Sequence, residues 1–286
     1  MTAVAIDGSA RVALAHAVVQ VLAERAGVDL LHVKGPALDA SLRDAERIST
    51  DADVLVRPGH VLALTAALVD HGWRLVTGFA SGSVFEHAAN YHHDAWGYVD
   101  VHRSFPGVTI GSEQAFDLLW ADRTASEVAH RACAVPSVRD QALLLCLHAA
   151  RGMGAPRAVA DLDRAWGAAD EADRARLRAR ADELGARVAL AAALGELDAG
   201  DLGEDRTVPL WRYYSQGGSR VDEWVARLRA APSRRAAVRT AVRGLGVNRE
   251  YAAMALGHEP SRRELAGLFA GRIGTGVRQL VRRRDG

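Results

Sequence analysis

The spacing of the apolar residues changes part-way along the chain, and this change constrains the fold more than any other feature. Up to about residue 112, short apolar runs alternate with helical patterns. Beyond that point, apolar residues recur at i, i+3 and i+4, which is typical of amphipathic helices. The sequence therefore predicts an α+β fold, in which a small mixed β-sheet with flanking helices precedes an all-helical part. We place the boundary near residue 125, with an α/β domain over 1–125 and a helical domain over 126–286.

Glycine and proline residues set the limits of the predicted elements. Gly27 and Gly72 follow helical patterns that they would end, and Pro36 suits the first turn of a helix. Helices are predicted over 10–26, 36–45 and 59–71, and strands over 29–33, 50–56, 73–77 and 97–103. The second part is predicted to be helical over 112–121, 137–151, 155–169, 171–197, 207–215, 219–230 and 249–283.

Charge and hydropathy exclude several classes of protein. The chain of 286 residues has 36 basic and 35 acidic residues, so it lacks the global positive field that favours nucleic acid as a partner. The arginine-rich stretch 262–284 could bind phosphate groups of RNA or a membrane, but the balanced charge favours a solvated helix end. No apolar run reaches the roughly 18 residues of a membrane span, and no leader pattern opens the chain. With Cys133 and Cys146 as its two cysteines, the chain is expected to be cytoplasmic and reduced.

Lysine is almost absent from the chain. All but one of the 36 basic residues are arginine, and the exception is Lys34, which directly precedes Gly35 and Pro36. A lysine ammonium is a compact point charge on a slim stem, so it fits beside a phosphate where the broad guanidinium does not. The functional interpretation is a phosphate-binding lysine, and the alternative is a surface residue without a role.

Acidic side chains recur on two of the predicted strands. Asp51 and Asp53 stand two apart and therefore face the same side, and Asp100 shares a face with His102 in a second alternating strand. If these strands are neighbours, three carboxylates converge and repel one another. One or two Mg²⁺ ions would relieve this repulsion, since Mg²⁺ prefers hard oxygen ligands. The alternative is a half-exposed strand whose aspartates face solvent.

Together these motifs resemble a known family. The resemblance rests on LHVKGPAL (31–38), Arg47, TDADVLV (50–56) and YVDVH (98–102). In this order they are similar to the uncharacterised nucleotidyltransferases of the DNA polymerase beta-type superfamily. The resemblance covers roughly residues 28–166 and is weaker towards His148 and Asp161. It implies a small mixed sheet with helices on one side. It also implies transfer of a nucleoside monophosphate from an NTP to an acceptor, with release of pyrophosphate.

The resemblance also implies roles for individual residues. Asp51 and Asp53 would hold the metals that bind the triphosphate, and Asp100 would complete the second metal site and help to deprotonate the acceptor hydroxyl. Lys34 and Arg47 would neutralise the charge of the nucleotide phosphates. Gly35 would let the backbone come close to them, because it lacks a Cβ.

The histidines allow several interpretations. The segment EHAANYHHDAW (86–96) has no zinc-like spacing, so His92 and His93 are interpreted either as acceptor contacts or as residues at the cleft edge. His102 could act as a general base or support Asp100, or it could be a half-buried strand residue. His148 either supports the site or contacts the acceptor, or it is a core histidine, as its position in mid-helix favours. Asp161 either contacts the acceptor or caps a helix.

The leading hypothesis is a metal-dependent nucleotidyltransferase. Its partners would be an NTP donor and an acceptor hydroxyl or similar group on a small molecule, sugar or peptide, and the helical domain would select the acceptor. Two alternatives stay open. One is a toxin-like transferase acting on tRNA or protein, and the other is an inactive nucleotide-binding or scaffold module. No membrane partner is expected.

Overall fold

The computed structural model describes residues 7–44, 49–79, 85–152, 154–199, 202, 205–231, 233–245, 252, 256 and 258–271. The chain divides into two compact units. The first comprises residues 1–148 and 160–187, and the second comprises residues 149–159 and 188–286. All described residues of the predicted site lie in the first unit.

The elements follow one another in a mixed order. The strands are β1 (Leu30–His32), β2 (Asp51–Val56), β3 (Arg74–Thr77), β4 (Ala88–His93), β5 (Gly97–His102), β6 (Thr124–Val128) and β7 (Arg131–Val135). The helices are α1 (Gly8–Ala26), α2 (Val61–Asp70), α3 (Ser112–Ala121), α4 (Val138–Ala149), α5 (Pro156–Leu162), α6 (Glu171–Glu183), α7 (Arg187–Leu194), α8 (Val208–Gln216), α9 (Arg220–Ala230) and α10 (Arg234–Leu245). No helix of the described ranges is both long enough and apolar enough to cross a membrane.

The main sheet has the strand order β1-β2-β5-β4-β3 within the described residues. Strands β2 and β5 run parallel, and every other neighbouring pair is antiparallel. The predicted α+β class with a small mixed sheet is confirmed. Because β2 and β5 are adjacent and in register, Asp53 stands directly opposite Asp100.

One face of the sheet forms the hydrophobic core. Alternation along β2 and β5 sends their valines to this face, where α1 and α2 pack against them. The core includes Val19 and Leu22 of α1, Val54 and Val56 of β2, Leu64 and Leu68 of α2, and Val99 and Val101 of β5. The same alternation turns Asp51, Asp53 and Asp100 to the opposite face. Burial of the valines thus fixes the direction of the acidic side chains.

The helix predicted over 36–45 is wrong. The structure has a single 3₁₀ turn at Gly35–Ala37, and residues 38–44 are not helical. The side chain of Asp39 accepts hydrogen bonds from the backbone N–H and the hydroxyl of Ser41 (2.9 and 2.6 Å). Such a local turn offers the backbone an alternative to the helix, so Pro36 begins a turn instead of a helix.

The helix predicted over 171–197 is two helices. The chain breaks between α6 and α7 at Gly185, whose φ of +64° lies in the left-handed region. The carbonyl oxygen of Gly185 accepts a hydrogen bond from the Thr109 hydroxyl (2.7 Å). A Cβ at this glycine would lie 2.3 Å from the same hydroxyl oxygen, so the close approach requires glycine. Of the helix predicted over 249–283, residues 262–271 are helical and much of the remainder lies outside the described residues.

Strand β4 and the β6–β7 hairpin were not predicted. The hairpin turns at Ala129 and His130, which both have positive φ (49° and 60°). A two-residue turn with this backbone is usually marked by Asn-Gly or Asp-Gly, and Ala-His carries no such signal. Strand β4 (AANYHH) has neither the β-branched residues nor the strict alternation that indicate a strand.

The second unit is helical where the structure describes it. Helix α9 begins with a capping box, in which the Ser219 side chain accepts from the Asp222 backbone and the Asp222 carboxylate accepts from the Ser219 N–H. The Arg227 guanidinium lies 4.6 Å from the centre of the Trp224 ring. In α8, Trp211 is buried and therefore serves as a core residue.

Candidate functional site

Three potential ligands converge on the polar face of the sheet. Asp53 of β2 faces Asp100 of β5 across the parallel ladder, and His102 follows on the same side of β5. Each of the three offers one ligand atom, and these atoms all lie within 4.8 Å of one another. Asp53 and His102 are buried, with 5% and 2% of their surface exposed. The predicted convergence of the two strands therefore takes place.

Two positive or polar donors meet one oxygen of Asp53. The Lys34 ammonium and the His102 Nε2 each lie 2.8 Å from Oδ1 of this carboxylate. Burial opposes ionisation of Asp53, but the charge of Lys34 and the contact with His102 outweigh it and hold its pKa below the ordinary value. Asp53 is therefore an ionised carboxylate.

Asp100 lies in the opposite electrostatic situation. Burial, followed by the charges of Asp53 and Asp51, raises its pKa to about 7. The Asn90 side-chain amide donates a hydrogen bond to Asp100, and the Thr77 hydroxyl donates to the amide oxygen of Asn90. These contacts run across three neighbouring strands and fix the orientation of the Asp100 carboxyl group.

Asp51 begins β2 on the same face but lies outside the compact group of three. It is half-buried, and burial followed by the charge of Asp53 raises its pKa. The charge of Asp53 raises the pKa of both Asp51 and Asp100, so ionisation of all three groups would leave excess negative charge on this face. A divalent cation compensates such charge, and carboxylate oxygens with one imidazole form a suitable donor set. The residues present therefore fit a divalent metal ion.

The loop after β1 brings Lys34 to this site. The Val33 N–H donates to the Asp53 carbonyl (3.1 Å), which extends the ladder up to the residue before Lys34. Gly35 then adopts a φ of +64°. A Cβ at this glycine would lie 2.8 Å from the Ser49 hydroxyl oxygen and 3.7 Å from His16 Nε2. The close approach of these groups therefore requires glycine here.

A cavity of about 290 Å³ opens beside this loop. Lys34, Gly35, Arg43 and Ser49 contribute to its walls, and Asp161, which is buried, lies on its lining as well. Val12, Leu38, Leu42 and Leu145 supply apolar wall. The cavity thus combines apolar surface with a few charged groups, as small-molecule sites commonly do.

Two buried histidines lie beneath the loop and had not been singled out from the sequence. His16 and His32 are joined through their Nδ1 atoms at 2.7 Å, and His32 Nε2 lies 3.0 Å from the Gln20 side-chain oxygen. The oxygen of Gln20 needs a donor, which assigns the hydrogen of His32 to Nε2 and the shared hydrogen to His16 Nδ1. Burial lowers the pKa of His16 to about 4 and that of His32 as well. Both rings are therefore neutral at pH 7.

Neither His92 nor His93 belongs to the compact group of three. His92 packs against Tyr98, and His93 packs against Trp73, with ring centres 4.6 and 5.3 Å apart. The member of this segment that reaches the site is His87, whose ring centre lies 5.2 Å from that of His102. His87 is buried, and it belongs to the same histidine-containing segment, 86–96, as His92 and His93.

The two remaining residues of the predicted site are His148 and Arg47. His148 is half-buried near the end of α4. Arg47 lies outside the described residues, so its proposed contact with phosphate stays a prediction.

Comparison with known proteins bears directly on this arrangement. A family described as uncharacterised nucleotidyltransferase matches residues 5–197. The chain belongs to this family. Its membership confirms the resemblance and makes the chain a nucleotidyltransferase, which is the enzyme class that the resemblance implied. The matched range includes the whole of the main sheet.

No curated protein matches this nucleotidyltransferase. Among solved structures it is similar to the lincomycin-bound crystal structure of the lincosamide antibiotic adenylyltransferase LnuA. The two chains are 18% identical with a TM-score of 0.35, and the match covers 50% of this chain and 89% of the other.

Proposed function

We propose that this nucleotidyltransferase moves a nucleoside monophosphate from an NTP to a hydroxyl or similar group on a small molecule, sugar or peptide, and that a divalent metal is required. The observation that carries the proposal is the pairing of Asp53 with Asp100 across adjacent parallel strands. Phosphoryl-type transfer depends mainly on positioning and on neutralising charge. The acidic groups would position a metal ion, and the lysine beside them would help to neutralise phosphate charge.

The acidic residues would hold the metal. Asp51, Asp53 and Asp100 are proposed as its ligands, with His102 either as a fourth ligand or as the group that orients Asp53. Mg²⁺ is the proposed ion because most of the donors are carboxylate oxygens. When bound, the ion would neutralise triphosphate charge and help to orient the reacting groups. The proposal allows one or two bound ions at these ligands.

Asp100 is proposed to accept the proton of the attacking hydroxyl. Burial and the neighbouring carboxylates raise the pKa of Asp100 to about 7, and a bound metal ion would favour its ionised form, which is the form that accepts a proton. Asn90 would hold the carboxyl group in place during the transfer, because its amide donates to Asp100.

The loop is proposed to hold the phosphates. Lys34 supplies positive charge, and Gly35 allows the backbone to come close, as its φ of +64° and its short approach to Ser49 support. Arg47 is proposed as a second cation on the strength of the family resemblance. Asp161, on the cavity wall, is proposed to contact the acceptor or the nucleotide through its carboxylate.

The test is a thermal-shift panel of ATP, GTP, CTP and UTP with and without Mg²⁺. A ligand at ~100 times its Kd stabilises by about 2.7 kcal/mol. For a chain of this size each kcal/mol raises Tm by roughly 2–4 °C. We expect a Mg²⁺-dependent shift with at least one NTP, and pyrophosphate release once acceptors are added.

Two variants complete the test. Asp53→Asn should abolish both the shift and the transfer. Asp94→Asn removes an exposed carboxylate that pairs with Arg74 on the same sheet, so it is the matched control and should behave as wild type. Turnover retained by Asp53→Asn would contradict the metal assignment.

A further inference from the structure

Lys34 neutralises the carboxylate that is proposed to bind metal. Its ammonium lies 2.8 Å from Asp53 Oδ1, and the two side chains are only 18% and 7% exposed. The same oxygen also contacts His102. A metal ion that took this oxygen as a ligand would compete with both partners for it.

Lys34 also borders the space beside the loop. It lines the cavity of about 290 Å³ together with Gly35 and Ser49. Its side chain is an unbranched stem with four rotatable carbons, and its ammonium can bond in any direction. Rotation about the stem would therefore carry the charge from Asp53 towards a group bound at the loop, without movement of the backbone.

We propose that Lys34 is the resident counter-ion of Asp53 and that it exchanges partners when substrate arrives. A metal–triphosphate complex takes the Asp53 oxygen for the metal and gives the lysine ammonium a phosphate. The inference rests on the proposed function, since it requires that Asp53 bind metal and that Gly35 lie beside phosphate.

Repulsion between the metal ion and the Lys34 ammonium determines when the lysine leaves Asp53. A metal ion about 2.1 Å from the oxygen and an ammonium at hydrogen-bond distance from it would repel each other strongly in a buried site. A metal ion that binds alone must therefore displace the Lys34 ammonium, which then has no phosphate to pair with. A metal ion that binds together with triphosphate brings that phosphate. Lys34 thus couples the two binding events, so that metal binds weakly alone and tightly with the triphosphate.

A fixed structural ion pair predicts different results. If Lys34 only stabilised the fold, its removal would leave Asp53 buried without a counter-ion and would lower stability. A fixed ion pair would also leave the Lys34 ammonium on Asp53 when ligands bind. The exchange predicts that the ammonium leaves Asp53, so variant affinities measure the effect of its charge and its own NMR signal measures its movement.

The first experiment is calorimetric titration of the full chain with Mn²⁺ and Mg²⁺ alone, and then with Mg²⁺ and inorganic tripolyphosphate. Lys34→Met should bind the metals alone about tenfold more tightly, which corresponds to about 1.4 kcal/mol. It should bind Mg²⁺–tripolyphosphate about tenfold more weakly. Arg74→Gln removes one positive charge from an exposed ion pair of the same sheet and should change neither affinity.

The outcomes separate the inference from the proposed function. Metal affinity in Lys34→Met that is equal to or below that of wild type overturns the exchange. Metal binding that is unchanged in Asp53→Asn overturns the metal site itself, and the proposed function with it. Loss of metal binding in Asp53→Asn, together with no gain in Lys34→Met, overturns the exchange alone.

A second measurement uses wild-type protein and so does not depend on the folding of a variant. Because Lys34 is the only lysine, protein labelled with ¹³C,¹⁵N-lysine gives a single side-chain ammonium signal. Saturating Mg²⁺ should move this signal, and Mg²⁺ with tripolyphosphate should move it to a third position. A signal that stays in place while metal binds would show that the lysine does not leave Asp53, and would overturn the inference.

Discussion

At the scale of single residues, Asp100 differs from Asp53 although the two stand opposite each other. Asp53 has Lys34 beside it, whereas Asp100 has an uncharged amide and two carboxylate neighbours. Nearly identical positions in adjacent strands thus give one carboxylate that is always ionised and one that titrates near neutral pH. The charges of the neighbouring groups, and not the burial of the side chain, therefore decide whether each carboxyl group is ionised at neutral pH.

The first prediction follows from the titration of Asp100. Burial and the neighbouring carboxylates raise its pKa from 3.8 to about 7 in the folded protein. The contribution of this group to folding is therefore fully present below its ordinary pKa and is lost as the pH rises through about 7. Metal competes with the same proton, so its affinity should rise about tenfold from about pH 6 to about pH 8.

Calorimetry in buffers of different ionisation enthalpy checks this prediction. Nearly one proton should leave per metal bound at the lower pH, and few at the higher pH. Asp100→Asn removes the titrating group, so its residual metal affinity should be nearly flat over the range. An affinity in wild type that does not depend on pH would contradict the raised pKa.

The second prediction concerns Gly35. Replacement by alanine forces a Cβ to within 2.8 Å of the Ser49 hydroxyl oxygen at a φ of +64°. The left-handed backbone alone costs about 1–2 kcal/mol for a residue with a side chain. Gly27 has the same φ and nothing within 4 Å of its Cβ position, so Gly27→Ala measures the backbone cost by itself.

Urea unfolding and tripolyphosphate binding test the pair of variants. Gly35→Ala should lose more stability than Gly27→Ala, and it alone should lose affinity for Mg²⁺–tripolyphosphate. Equal losses of stability with unchanged binding in both variants would show that the loop does not hold phosphate.

At the scale of elements, a buried ion pair fixes α6 to α4. The Arg180 guanidinium donates to both oxygens of Asp140 (2.7 and 3.1 Å) and to the Leu118 carbonyl (2.9 Å). Asp140 is 0% exposed and Arg180 is 5% exposed. The Asp140 carboxylate cannot turn to water when Arg180 is removed, whereas Arg180 would keep its contacts with Glu183 and Asp122 if Asp140 were removed.

The third prediction tests this pair. Arg180→Met leaves the Asp140 charge buried without its partner and should cost about 3–5 kcal/mol of unfolding free energy. The double variant Asp140→Leu/Arg180→Met should lose clearly less than the sum of the two single variants. Chemical denaturation of the four proteins measures the coupling, and simple additivity would contradict a direct interaction.

The fourth prediction concerns the hairpin turn. Ala129 and His130 both adopt positive φ, which costs energy for residues with a side chain. Ala129→Asn/His130→Gly supplies residues that favour this turn and should stabilise the protein by about 1 kcal/mol. The His130 side chain is 99% exposed, so few contacts are lost. A lower Tm in the double variant would show that the turn is not as described.

Elements whose pattern is local could be predicted from the sequence, and elements fixed by distant contacts could not. Strands β2 and β5 follow from alternating valines and aspartates. Strand β4 does not, because its place depends on hydrogen bonding to β5 and β3, which a run of Ala, Asn and His does not reveal. The turn at Asp39 also overrode the helical pattern after Pro36.

At the scale of the whole molecule, the site depends on the order of strands in the sheet. Placing β2 beside β5 puts Asp53 opposite Asp100, and adding β4 and β3 extends a polar row through Asn90 to Thr77. Helices α1 and α2 fill the other face with apolar contacts. One face of the sheet therefore provides stability and the other provides the candidate chemistry.

The sequence predicted the charged part of this site but not its neutral support. Aspartates and a lone lysine are conspicuous in a sequence, and their spacing carries information on strand faces. Asn90 and the His16–His32 pair look ordinary one by one. Their positions become meaningful only when residues far apart in the chain are brought together.

The single lysine also makes the loop the one place where a lysine-specific protease can cut. Such an enzyme has one susceptible bond in the whole chain, between Lys34 and Gly35. In the folded protein this bond follows a buried strand, so cleavage requires the loop to open locally. The rate of cutting into two fragments therefore reports the opening of this loop. Gel electrophoresis of the two fragments over time therefore measures how often the loop at Lys34 and Gly35 opens.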